Sequence, residues 1–408
     1  MTRFALFSIL LFLVLSCQKK NKSNINRDDI ETISFYEVYS EKLPFSFFVD
    51  TMELIPLETN DENMIGEITR LIFYDDKYYV RATNGMQNGQ LFVFDKTGNY
   101  LRKIGKKGGG PGEYLEFKDF TITHDGKIVL ADYQRLLIYD SKGEFLYSTK
   151  VDRSFLANEI LPIGENEILA FHSLPGLLNN NMLSKISKEG VDNLFFNRGQ
   201  IEALKCSFLT TWRSFVLADS SYYLKYPFCD TIFSISKDKD LNEITATYSI
   251  DYGKKKRPDI KVDLDDNVLT WEKKLNQLDD YLETASIGIG EDFLYLGTTD
   301  KRHKGYITLY SFHSKRSVST QKLIDDLYLK GNIIPITAKC IPHNMDGNDI
   351  LWEMDPSILL KGYRQYWSNL SEPKRETFKL NYPEWYRICN SLKEDDNPVL
   401  LRIKVKRF

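Results

Sequence analysis

The chain is poor in cysteine, with five among 408 residues, and none stands in a C-x-x-C pair. Zinc ribbons and dithiol redox motifs need that close spacing, so neither is expected. Histidine is as sparse: His124, His172, His303, His313 and His343 are scattered, with no H-E-x-x-H. A G-x-S-x-G nucleophile elbow is also missing. There is no long basic run, and the formal net charge is -3. The electrostatics of a nucleic-acid-binding protein are therefore absent, and that class of partner is excluded. What the chain does have is an ordinary apolar content of 42%, with 13% aromatic residues, mostly Tyr and Phe. Such residues favour half-buried strands. A length of 408 residues often means two domains, but one large β architecture also reaches it.

The first residues read as a targeting segment. "MTRFALFSILLFLVLSC" has one positive charge, at Arg3, then a mostly apolar stretch from Phe4 to Leu15. It is too short for a stable membrane span and predicts a signal peptide over residues 1–16. "LVLSC", Leu13 to Cys17, resembles a bacterial lipobox, which implies that Cys17 becomes the lipidated N-terminus. Acyl chains contribute ~0.8 kcal/mol per buried CH₂, so they would hold the protein on a membrane. Residues 17–29 follow as a polar tether, "QKKNKSNIN" after the cysteine. Lys19, Lys20 and Lys22 stand where surface-exported lipoproteins carry acidic residues, which favours an anchor facing the periplasm. Cys206, Cys229, Cys340 and Cys389 remain, and in an oxidising compartment they allow up to two disulfides.

The clearest internal signal is a repeat. "LFVFDKTGNYL" (Leu91 to Leu101) recurs as "LLIYDSKGEFL" (Leu136 to Leu146), with Asp95 and Asp140 45 residues apart. Each copy is a strand, an Asp-x-x-Gly turn and a second strand. "ITRLIFYDDKYYVRA" precedes the first copy and "FKDFTITHDGKIVLAD" the second, each another strand–turn–strand. Four short strands at this period are one propeller blade. Weaker units follow at 160–174, 230–250, 289–312 and 334–354. At about 45 to 55 residues per blade, six or seven fit, and six four-stranded blades are the expectation.

Two regions break the β pattern. Asp266 to Ser286 predicts a helix or loop crossing between blades. Residues 355–395 predict a small helical insert, with Asp355 and Asn381 as caps and Pro356 and Pro383 in first turns. "NPVLLRIKVKRF" then alternates as a strand, so 397–408 is expected to close the ring, paired with "ETISFYEVY" (Glu31 to Tyr39). The expectation is one all-β propeller domain over residues 30–408.

Gly105 to Phe145 resembles an NHL-type propeller repeat, through Gly105, Gly108, "PGEY" (Pro111 to Tyr114), "DGKIVLAD" and "LLIYDSKGEF". More widely, the chain resembles the six-bladed β-propeller lipoproteins of Gram-negative bacteria. The residues that carry this are "ELIPLET" (Glu53 to Thr59), "GGGPGEY" and "DDNPVLLRIKVK". The resemblance implies fold and location: a lipid-anchored protein of the outer membrane, without a defined activity.

Candidate chemistry is thin. In "GKKGGGPGEY" (Gly105 to Tyr114) both lysines precede the glycines, no Lys-Ser or Lys-Thr follows, and a strand comes next. A phosphate loop is excluded, and an inter-blade turn is expected. "DKDLNE" and "DLDDN" lack the glycine and glutamate of a calcium loop. No cofactor, metal ligand or catalytic residue is assigned. "SSYYLKYPF" and "GYRQYWSNL" could stack on sugars, but core packing is the commoner use of such rings. The function expected is a tethered, non-catalytic propeller that binds a ligand or envelope protein, glycan or peptide, at one face of the ring. The alternative is a hydrolase or lyase with a metal-assisted site at the channel mouth.

Overall fold

The computed structural model describes residues 24–26, 29–83, 89–151, 157–207, 213–218, 221–237, 240–335 and 344–408. Among them, six principal sheets form the blades of a β-propeller. Blade one is Glu67–Tyr74, Lys77–Thr83, Gln90–Asp95 and Tyr100–Ile104, and blade two is Phe117–Ile122, Ile128–Asp132, Arg135–Tyr139 and Phe145–Lys150. Blade three is Ala157–Ile163, Glu167–His172, Asn181–Ser187 and Gly190–Asn197. Blade four is Phe215–Ala218, Ser221–Leu224, Thr231–Ser236 and Glu243–Asp251. Blade five is Leu282–Ile289, Phe293–Asp300, Gly305–Ser311 and Ser317–Thr320.

Blade six draws on both ends of the chain. Its strands run in the order Asn344–Asp346, Asp349–Met354, Val399–Val405, Val49–Pro56. The C-terminal strand is antiparallel to both neighbours, with Leu401 opposite Trp352 on one side and Leu54 on the other. The N-terminal partner is thus Val49–Pro56, not residues 31–39. Glu31–Ser34 lies parallel to the outer strand of blade four, and Val38–Ser40 parallel to that of blade five. Met52, Leu54 and Ile55 fill the clusters flanking blade six, whereas Ile33 and Phe35 are buried in the cluster between blades four and five.

Each blade buries both faces against its neighbours, and the core divides accordingly into six apolar clusters among the described residues. Leu71, Tyr78 and Phe92 of blade one meet Ile55, Leu351 and Leu400 of blade six. Tyr79 and Val93 meet Phe120 and Leu130 across blades one and two. Equivalent clusters join two to three, three to four, four to five and five to six. The last of these also receives the helices Pro356–Ser368, Glu372–Asn381 and Pro383–Ser391, which are inserted between two strands of blade six. Asp355 caps the first, its Oδ1 accepting from Ser357 N at 2.8 Å. Asn381 is the last residue of the second helix rather than a cap, because Pro383 already opens the third. Of the helix or loop crossing expected over 266–286, Val268–Gln277 is helical, and Leu282–Ile289 is the inner strand of blade five.

The glycine-rich loop runs from the outer strand of blade one to the inner strand of blade two. Its would-be anion cradle is filled by its own chain. The Glu113 carboxylate accepts from Gly110 N at 2.8 Å and pairs with Lys106 at 3.0 Å. Those bonds hold its pKa below the usual carboxylate range. Gly112 has φ +69, and a Cβ there would lie 2.7 Å from Phe145 Cβ, so glycine is required.

Candidate functional site: the central channel

The innermost strands share one irregularity. Pairing slips between Ile68 and Arg70 in blade one, Phe117 and Asp119 in blade two, Ala157 and Glu159 in blade three, and Thr284 and Ser286 in blade five. A bulge at the same level in these four inner strands re-aims the residue that follows it. Arg70, Asp119, Glu159 and Ser286 thereby occupy equivalent places, and Ser214 takes that place at the start of blade four. All are buried.

These residues latch each blade to the next. Arg70 Nε lies 3.5 Å from Asp119 Oδ1, and Asp119 Oδ2 accepts from Ile160 N at 2.8 Å. Glu159 Oε1 accepts from Ser214 N at 3.0 Å and Ser214 Oγ at 2.7 Å, while Oε2 takes Phe215 N at 3.2 Å. Arg213 O accepts from Ile287 N at 2.8 Å, and Arg81 Nη2 donates to Phe117 O at 2.8 Å. Four interfaces are bridged by polar groups that would otherwise be buried without partners.

Burial, the largest cause, pushes the Glu159 carboxyl up to about 7, against the lowering by its bonds from Ser214; nearby Asp119 adds to the rise. Asp119 is raised too, again by burial. A carboxyl that holds its proton more tightly when folded stabilises the fold fully below its unfolded pKa, and that stability is lost as pH rises towards 7. For Glu159 the loss amounts to about 3 kcal/mol. Glu159→Gln should therefore flatten the decline in the urea midpoint between pH 5 and pH 8. An identical slope in the variant would remove Glu159 as its source.

Beside this polar layer is a cavity of about 160 Å³, walled by the inner strands of five blades. Arg70 and Arg213 border it, with Ile122, Leu161 and Ile287 among its aliphatic walls. Half-buried Tyr74, next to the first hairpin turn of blade one, marks its outer level, and its hydroxyl donates to His124 O at 3.1 Å. The cavity can hold a small molecule against apolar walls with two fixed positive charges.

The residues singled out from sequence do not gather here. His124 and His303 lie in turns, His313 is exposed, and buried His172 has Nε2 2.8 Å from Ser184 Oγ. His343, Cys340 and Cys17 lie outside the described residues. Among the described residues no group of three His, Cys, Asp or Glu could hold a metal ion. Cys206, Cys229 and Cys389 are free, and burial pushes the Cys206 and Cys389 thiols up to about 12. Tyr222 and Tyr226 pack in the core between blades three and four, and Tyr363 under the helices. The channel residues escaped the sequence reading because each comes from a different blade. Their shared signal is one polar residue early in an apolar inner strand, in "EITRL", "FKDF" and "NEIL".

A family profile for a domain of unknown function, DUF4934, matches residues 30–404. The chain belongs to this family. The DUF4934 chain is also similar in structure to an exported protein of Bacteroides fragilis: 16% identity, TM-score 0.66, covering 93% of this chain and 100% of that one. A weaker likeness is to PorZ of Porphyromonas gingivalis, a surface component of its type IX secretion system. That match has 11% identity and a TM-score of 0.37, over 73% of this chain and 36% of PorZ. These likenesses concern fold. No protein with a curated description matches the DUF4934 chain.

Proposed function

We propose that this DUF4934 propeller is a binding protein of the cell envelope, anchored through lipid on Cys17 and facing the periplasm. In this reading the NHL-like repeats build a rigid ring, and a ligand is bound within it without being transformed. The observation that carries the binding role is the channel cavity, bounded by inner strands of five blades. Pockets of this kind combine apolar walls with a few fixed polar groups. No helix among the described residues is long and apolar enough to cross a membrane.

The test is a thermal-shift screen of the full chain in detergent against small molecules, glycans and peptides. A true ligand raises the unfolding temperature by mass action. Leu217→Trp, which fills the cavity, should abolish the shift. A panel with no member that shifts the wild type but spares the filled variant would defeat the binding role. For the anchor, Cys17→Ser should lose radiolabelled palmitate entirely, and retained label would sink the lipid assignment.

A further inference from the structure

Arg70 and Arg213 border the cavity, and Arg81, Asp119 and Glu159 are buried in blades one to three. Arg70 faces Asp119, Arg81 is held by Phe117 O, and Glu159 is occupied by Ser214 and Phe215. Arg213 is only 8% exposed and borders the cavity. Arg70 Nη1 is also buried without a hydrogen bond. A buried guanidinium N–H without an acceptor is unfavourable, so Arg70 calls for an acceptor beyond Asp119.

Both arginines border the same cavity, and its remaining walls are largely aliphatic. Its volume of about 160 Å³ is close to that of an engineered cavity known to hold benzene. We propose that the channel binds a small organic carboxylate, its head between Arg70 and Arg213 and a ring-sized apolar body against Ile122, Leu161 and Ile287. This rests on the binding role above. Arginine's planar fork matches a carboxylate in two parallel hydrogen bonds. With Asp119 and Glu159 ionised, the five buried groups carry one excess positive charge, which suits a monoanion better than a phosphate ester.

Calorimetric titration of the full chain in detergent with benzoate, benzyl alcohol and phenyl phosphate tests this. Benzoate should bind at least about tenfold more tightly than benzyl alcohol, the difference expected of a charge-assisted hydrogen bond. Arg70→Met would strand Asp119 and endanger the fold, so Arg213→Met carries the test. It should weaken benzoate at least about tenfold, with cooperative urea unfolding showing that the variant keeps its fold. Undiminished affinity in Arg213→Met, or equal binding of benzyl alcohol, would overturn the proposal. Tighter binding of phenyl phosphate would overturn the choice of carboxylate. If neutral ligands bind and Leu217→Trp blocks them, the binding role stands and the anion proposal falls. Silence from benzoate and the wider panel together removes both.

Discussion

Deleting residues 397 to 408 is expected to leave no soluble, folded protein. The lost strand Val399–Val405 is interior to blade six, hydrogen-bonded to a strand on each side. Val399, Leu400, Leu401, Ile403 and Val405 are all buried. At about 1.5 to 3 kcal/mol per buried aliphatic side chain, their removal costs on the order of 10 kcal/mol. A domain of ordinary stability has about 5 to 15 kcal/mol in total. Asn397 is lost as well; it accepts from Ile65 N at 2.8 Å and donates to Glu58 O at 2.7 Å, tying the last crossing to the first. The deletion would also strand Val49–Pro56 as an unpaired edge, inviting aggregation. A milder form of the test is Leu400→Ala, at a fully buried position between blades six and one, expected to cost about 2 to 5 kcal/mol. Soluble, cooperatively unfolding protein from the truncated chain would show that the ring does not depend on this strand.

Glu283→Ala should be the most damaging polar substitution. Its carboxylate accepts from Lys225 and Arg257, and from Phe228 N at 3.1 Å. The Lys225 side chain is 1% exposed and that of Arg257 10%. Lys225 also donates to Thr284 O at 2.5 Å, so this cluster clamps blade four, the following crossing and blade five together. Removing the one carboxylate leaves the buried Lys225 ammonium without its counter-charge and Arg257 with only Asp230 at 3.9 Å, a loss of about 3 to 5 kcal/mol. Urea unfolding of the variant measures it. The pair of changes Lys225→Met and Glu283→Leu should recover much of the loss, because it removes charge from both sides. A loss below about 1 kcal/mol in Glu283→Ala would mean that water already reaches the cluster.

The two arms of the repeat differ in how well they showed in the sequence. Blades one and two keep Asp-x-x-Gly turns, and Asp95 and Asp140 hold them in the same way, accepting from Thr97 N at 2.8 Å and Lys142 N at 2.9 Å. Local turn chemistry of this kind is written in four residues. Blade four lacks the glycine of that turn; its clamp is the buried cluster around Glu283, whose members lie 26 and 58 residues away. The misplaced N-terminal partner has the same cause. Residues 31–39 read as a strand, but Ile33 and Phe35 fill the cluster between blades four and five, while Leu54 and Ile55 of Val49–Pro56 fill those beside blade six.

The sequence alone determined the period of the blades, the helical insert, and the exclusion of a phosphate loop from "GKKGGGPGEY", because each depends on neighbours along the chain. Only the tertiary structure decided how the ring closes and what lines its channel. Closure is a pairing between residues about as far apart as the chain allows, and the channel is built from one residue per blade. A bulge repeated in successive inner strands turns Arg70, Asp119 and Glu159 to one level, and no local pattern expresses their meeting.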